Sequence, residues 1–168
     1  MRNVLIVIDM QNDFVTGALA NPDAGAIVKG IVERIENFDG DIIATRDTHA
    51  ENYLSTTEGK HLPISHCIKD TNGWEIVDEI ATALAKKNAI ILDKPTFGFV
   101  GWDCLNGATQ VEMVGTCTDI CVVSNALIIK ALHPDIPLSV RADLCAGTTK
   151  ENHQSALNVM ACCQIQIL

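Results

Sequence analysis

Apolar residues recur along this chain in two alternating rhythms. Six short runs, Val4–Asp9, Asp41–Thr45, Ala89–Leu92, Val111–Gly115, Leu138–Arg141 and Ile165–Leu168, are rich in Ile and Val and read as strands. Near-continuous apolarity in several of them means burial on both faces, as in a parallel sheet covered by helices. Between the runs lie stretches at helical spacing. Asn21-Pro22 offers a cap and a first helical residue, after which Ile27, Val28, Ile31, Ile35 and Phe38 keep the period. Ile76, Ile80, Ala83 and Leu84 make a second such face. A third begins near Asp119 and runs through Val122, Val123, Ala126, Leu127 and Ile129 to Leu132. A fourth starts at Thr148 or Thr149 and holds Ala156, Leu157 and Met160. The alternation predicts an α/β fold, a three-layer doubly wound sandwich around a mostly parallel six-stranded sheet. At 168 residues the chain, 1–168, is expected to form a single domain.

Two segments, Gln11–Leu19 and Asp47–Thr71, lack clean periodicity and carry Gly, Asn, Thr and Pro. Each follows an expected strand. Ligands of doubly wound sheets bind beyond the carboxyl ends of the strands, so these loops are expected to build the site.

Charge narrows the partners. Twelve Lys and Arg against twenty-one Asp and Glu leave a net charge of −9. Nucleic acid and anionic membrane surfaces both call for clustered positive charge, and neither is expected as a partner. The run Val4-Leu5-Ile6-Val7-Ile8 is too short to span a bilayer and is followed by Asp9, not by a small-residue cleavage site. Seven cysteines, an odd number with Cys162 and Cys163 adjacent, suit reduced thiols better than a disulfide framework. A cytoplasmic location is the expectation.

The chemistry gathers at strand ends. Asp9 ends the first strand, Asp47 and His49 follow the second, Lys94 follows the third and Cys121 follows the fourth. Taken singly, Asp9 reads equally as a cap, Lys94 as a solvated lysine and Cys121 as a core thiol. Together they put reactive groups on one edge of one sheet. Cys121 lies where a strand breaks at Gly115 and a helix begins. A helix start and a nearby lysine both favour the thiolate. Asp9 can take the thiol proton and pass it to a leaving amine, and amides at the helix start can receive an oxyanion.

Three blocks carry a family resemblance: Val7-Ile8-Asp9-Met10-Gln11-Asn12-Asp13-Phe14, Asp93-Lys94-Pro95-Thr96-Phe97-Gly98 and Gly115-Thr116-Cys117-Thr118-Asp119-Ile120-Cys121-Val122. In order and spacing they resemble the signature blocks of the isochorismatase-like cysteine hydrolases. The resemblance implies a triad of Asp9, Lys94 and Cys121. It also implies a cis peptide before Cys117 and an oxyanion hole from the amides of Cys117 and Cys121, with Asp119 structural.

Asp47-Thr48-His49 and the later His66 supply one carboxylate and two imidazoles. That set suits a divalent metal, zinc first and iron or manganese as alternatives, with positions left open for water. Glu58 and His61 both lie in the loop that would give a fourth ligand. Within the family this pattern resembles the nicotinamidases, which implies hydrolysis of a small carboxamide to carboxylate and ammonia through a thioester on Cys121. Nicotinamidases usually place Trp-Pro shortly before the last metal histidine, whereas this chain has Leu62-Pro63-Ile64-Ser65-His66. Phe14 and Phe97 are candidate walls of the substrate pocket, with core packing as their alternative. A family hydrolase of another small amide or carbamoyl compound, and a non-catalytic binding member, are the competing readings. The intact Asp9, Lys94 and Cys121 argue against the latter.

Other residues read as structural. His133 and His153 are expected at solvated positions, Trp74 and Trp102 in packing, and no Gly-rich nucleotide loop is present. Self-association into a homo-oligomer is expected.

Overall fold

The computed structural model describes residues 1–168. Six strands, β1 (Asn3–Ile8), β2 (Asp41–Asp47), β3 (Ile90–Lys94), β4 (Gln110–Thr116), β5 (Leu138–Ala146) and β6 (Gln166–Ile167), form one sheet in the order β3-β2-β1-β4-β5-β6. Every pairing is parallel. Alternation along β1 explains the layers. Leu5 and Val7 pack under α2 (Pro22–Asn37) and α4 (Asp78–Lys86), against Ile31, Ile35, Ile80 and Leu84. Val4, Ile6 and Ile8 face α5 (Val123–Leu132) and α6 (Lys150–Cys162), against Ala126, Ile129 and Met160. Each such side chain contributes roughly 1.5–3 kcal/mol of burial free energy, so β1 anchors both layers.

The helix signals act locally as the residues suggest. Asn21 caps α2 through Oδ1, which accepts from the Asp23 amide at 2.9 Å, and Pro22 opens the helix. Thr149 caps α6 by accepting from the Asn152 amide at 3.0 Å. No helix is long and apolar enough to cross a membrane.

Four details depart from the sequence reading. The helix expected from Asp119 begins instead as a wider π turn, Thr118–Val122, that runs into α5. β5 continues past Arg141 to Ala146, because a register irregularity between Met113 and Gly115 accommodates the polar Arg141 and Asp143. The two irregular loops contain short helices, α1 (Asn12–Val15) and α3 (Thr57–His61), plus a 3₁₀ turn at Tyr53–Ser55. His133 and His153 are half-buried rather than solvated: His133 Nε2 lies 3.0 Å from Trp102 O, and His153 Nδ1 lies 2.8 Å from Thr118 Oγ1.

The strand order reverses between β1 and β4, and there a doubly wound sheet opens its crevice. Gly115 makes the two strands approach closely. Its φ is +122°, and a Cβ there would collide with Ile8 O.

Candidate active site

Four adjacent strands, β3, β2, β1 and β4, end at the crevice, and each brings one reactive group. β1 stops at Ile8, and Asp9 turns the chain with φ +47°, a left-handed conformation that few residues other than glycine adopt. Register pairs Asp47 with Lys94 at the ends of β2 and β3. Cys121 sits in the π turn after β4, beyond a cis peptide between Thr116 and Cys117.

The side chains of Asp9 and Lys94 are completely buried, with Lys94 Nζ 2.7 Å from Asp9 Oδ2. Asp9 Oδ1 accepts from Thr45 Oγ1 at 2.6 Å, and the same hydroxyl accepts from the Asp9 amide at 3.2 Å. Asp9 Oδ2, despite its short ion-pair contact, receives no well-directed hydrogen bond. That oxygen keeps acceptor capacity for a thiol proton. Lys94 Nζ also donates to Thr96 O at 3.2 Å and to Cys121 Sγ at 3.7 Å, and it lies 3.3 Å from Asp47 Oδ1.

Burial sets the proton affinities. It would pull Lys94 down, but Asp9, Cys121 and Asp47 more than reverse this, so the ammonium stays charged. Burial raises Asp9, helped by Asp47 and opposed by Lys94 and Thr45. Burial and Asp9 together push the Cys121 thiol well above its ordinary value, against the pull of Lys94. The thiolate expected from a helix start is therefore corrected. Cys121 is 5% exposed, and desolvation of its anion outweighs the dipole of a short turn. The resting group is a thiol, close to a carboxylate whose affinity for protons burial has raised.

A second cluster adjoins the first. Ligating atoms of Asp47, His49, Glu58 and His66 all lie within 4.8 Å of one another. Asp47 Oδ2 is 2.9 Å from His49 Nε2 and 3.7 Å from His66 Nε2, while Glu58 Oε1 is 3.7 Å from His49 Nε2. The loop is pinned for this purpose: the His49 amide donates to Cys67 O at 2.9 Å, and the Lys69 amide donates to His49 O at 2.9 Å. His66 Nδ1 is engaged by Ile64 O at 2.8 Å, which directs Nε2 toward the cluster. Two carboxylates and two imidazoles converging in a largely buried space fit a divalent cation. Of the two residues open for the fourth position, Glu58 joins the cluster and His61 is exposed outside it.

Both clusters border a cavity of about 410 Å³, lined among others by Phe14, Leu62, Phe97, Cys117, Ile120 and Cys121. Phe14 is buried and also packs on His66, with ring centroids 5.8 Å apart; Phe97 is 46% exposed at the mouth. Among the lining residues the only nitrogen base is His66, and there is no Lys or Arg. The Cys117 amide donates to no atom of the chain.

Several supports had no signal in the sequence pattern. Buried Gln11 holds the backbone of Asp47 from both sides, donating to its carbonyl at 2.8 Å and accepting from its amide at 2.7 Å. Asp13 accepts from the amides of Cys67 and Ala18, at 2.7 Å and 3.1 Å, and so ties Phe14 to the histidine loop. Tyr53 packs tilted against His49 and edge-on against His66, at 4.6 Å and 4.9 Å between centroids, and donates to Leu62 O at 3.0 Å. Asp119, unlike these, is implied to be structural by the family resemblance, and it accepts from the amide and hydroxyl of Thr148, joining the π turn to the start of α6.

The parallel β3-β2-β1-β4-β5-β6 sheet, with its polar cluster at the strand reversal, defines an isochorismatase-like α/β protein. The chain matches the isochorismatase domain family over residues 3–167 and belongs to that family, on its nicotinamidase/pyrazinamidase-like branch. It is 31% identical to the pyrazinamidase of Pyrococcus horikoshii, whose structure was solved in complex with zinc. That match covers 100% of this chain and 99% of the other, with a TM-score of 0.85. The nicotinamidase/pyrazinamidase of Mycobacterium tuberculosis is 25% identical, over 98% of this chain and 97% of its own length. The nicotinamidase of Saccharomyces cerevisiae is 31% identical over 54% of this chain, which spans 55% of that protein.

Proposed function

We propose that this chain is a nicotinamidase-like amidohydrolase, acting as one domain, that converts a small neutral carboxamide to carboxylate and ammonia through a thioester on Cys121. The observation that carries the reading is the contact of Lys94 with both Asp9 and Cys121, the latter lining a cavity together with Asp47, Glu58 and His66 of the second cluster. The names of the relatives support the substrate class.

In this mechanism Asp9 removes the Cys121 proton as Sγ bonds to the amide carbon, and Lys94 beside the sulfur stabilises the forming anion. The amides of Cys117 and Cys121 receive the oxyanion. Asp9 then returns its proton to the amide nitrogen, the C–N bond breaks, and ammonia leaves. Water attacks the thioester with Asp9 again as base, releasing the carboxylate and the thiol. Asp47, His49, Glu58 and His66 would hold a divalent ion, with zinc best suited to the imidazole–carboxylate set and iron or manganese compatible. Such an ion supplies a Lewis-acid anchor for a ring nitrogen of the substrate. Phe14 and Phe97 offer apolar surface to a flat ring.

Without Lys or Arg in the lining, the cavity favours an uncharged substrate over an anionic one. Leu62 lines the wall where no tryptophan is available, which favours tolerance of amides besides nicotinamide as the second reading. Ammonia release over a panel of amides, including nicotinamide, pyrazinamide and carbamoyl compounds, tests both. Turnover of the aryl amides supports the first reading, and turnover of carbamoyl compounds alone supports the second.

A further inference from the structure

Asn125 is fully buried in the first turn of α5, four residues after Cys121, and its side-chain amide is saturated. Nδ2 donates to Cys121 O at 2.8 Å and to Phe97 O at 2.8 Å. Oδ1 accepts from the Phe99 amide at 3.0 Å and from Trp102 Nε1 at 3.3 Å. Two donors and two lone pairs are thus all engaged, as a buried amide requires. Both donors go to residues that line the cavity. The acceptor side fixes the segment that follows Phe97. Lys94 is tied to the same segment through its bond to Thr96 O at 3.2 Å, while its ammonium reaches Cys121 Sγ at 3.7 Å.

We propose that Asn125 is a positioning residue that holds the Cys121 turn and the Phe97 wall at a fixed separation, so that thiol attack and ring binding are set by one side chain. Displacement of a nucleophile by about 1 Å can cost as much as ~10²-fold in rate. A buried amide with four fixed partners resists such displacement better than van der Waals contact alone. The kinetic part of the test rests on the amidohydrolase reading, and the alkylation part does not.

Asn125→Ser and Asn125→Asp separate the two connections. A serine in a helix returns its hydroxyl bond to the carbonyl four residues earlier, here Cys121 O, but is too short for Phe97 O. This variant is expected to raise KM about tenfold, the worth of one net hydrogen bond, with kcat near the parent's. Asn125→Asp has the same shape but sets a carboxylate against both carbonyls. Its kcat is expected to fall by about two orders of magnitude. Alkylation of Cys121 by chloroacetamide, followed at the peptide level, should be slow in the Asp variant and near the parent rate in the Ser variant. A lowered Tm with kcat, KM and Cys121 alkylation unchanged per folded molecule in both variants would show a structural role only and overturn the proposal. Should the Asp variant fail to fold, the Ser variant decides: a raised KM with preserved kcat supports the proposal, and a parental KM overturns it. If even the parent hydrolyses no amide, the alkylation rates still decide the role of Asn125, and it is the proposed activity that fails.

Discussion

Asp47 directs Oδ1 toward Lys94 Nζ, 3.3 Å away, and Oδ2 toward the two histidines. One carboxylate therefore belongs both to the Asp9–Lys94–Cys121 cluster and to the Asp47–His49–Glu58–His66 cluster. Burial raises its pKa, but the hydrogen bond from His49, the His66 imidazole 3.7 Å away and the charge of Lys94 reverse this and hold it far below the usual carboxylate range. The pairing follows directly from the parallel register of β2 and β3, which sets Asp47 opposite Lys94.

Removing Lys94 should consequently damage more than reactivity. Lys94→Ala leaves the carboxylates of Asp9 and Asp47 without their buried counter-charge, an imbalance that typically costs about 3–5 kcal/mol. Thermal unfolding should show a clear drop in Tm together with loss of turnover. A variant with parental Tm would mean the two carboxylates are solvated or protonated instead.

Asp9→Asn keeps the size of the side chain and can still meet Thr45, but it cannot take a thiol proton. Amide hydrolysis should fall by about two orders of magnitude or more, the usual worth of a positioned acid–base group. Retention of most of the activity would assign proton transfer to another residue.

Metal affinity should depend on pH through His66. Burial lowers its pKa, yet the Asp47 carboxylate 3.7 Å from Nε2 and the hydrogen bond to the Ile64 carbonyl outweigh burial, so the net shift is upward. An ion binding Nε2 must displace that proton. Affinity should therefore fall as pH drops below the raised pKa, by up to about tenfold per pH unit for one proton. Competition for zinc with a chromophoric chelator across pH 5–8 measures this, starting from the range in which histidines ordinarily titrate. A flat profile would remove His66 from the ligand set.

Thiol labelling should follow exposure. Cys162 and Cys163 are exposed, whereas Cys121 is buried with a raised pKa. A small alkylating agent should therefore mark Cys162 and Cys163 before Cys121, contrary to what a helix-start thiolate implies. Peptide mapping that found Cys121 modified first would restore the thiolate.

Much of this arrangement is legible in the chain itself. Runs such as Val4–Ile8 are buried on both faces, and that is what marks them as strands. Their ends then place Asp9, Asp47 and Lys94 without further information. The supports are another matter. Apart from the bond of Asn125 to Cys121 O, Gln11, Thr45, Tyr53 and Asn125 act through bonds to residues 9 to 63 positions away or through ring contacts, and no local period encodes such partners. The π turn at Thr118–Val122 is likewise hidden, because its residues suit an α-helix equally well. The choice of Glu58 over His61 depends on which face of the short helix α3 meets His49, a tertiary fact.

Ammonia release from nicotinamide and pyrazinamide by the metal-loaded parent and by Cys121→Ala tests the thioester account most directly. Circular dichroism of the variant verifies its fold, since the change removes a single sulfur from the cavity floor. The account predicts turnover by the parent and none above background by the variant. Turnover by Cys121→Ala at the parent's rate would contradict it.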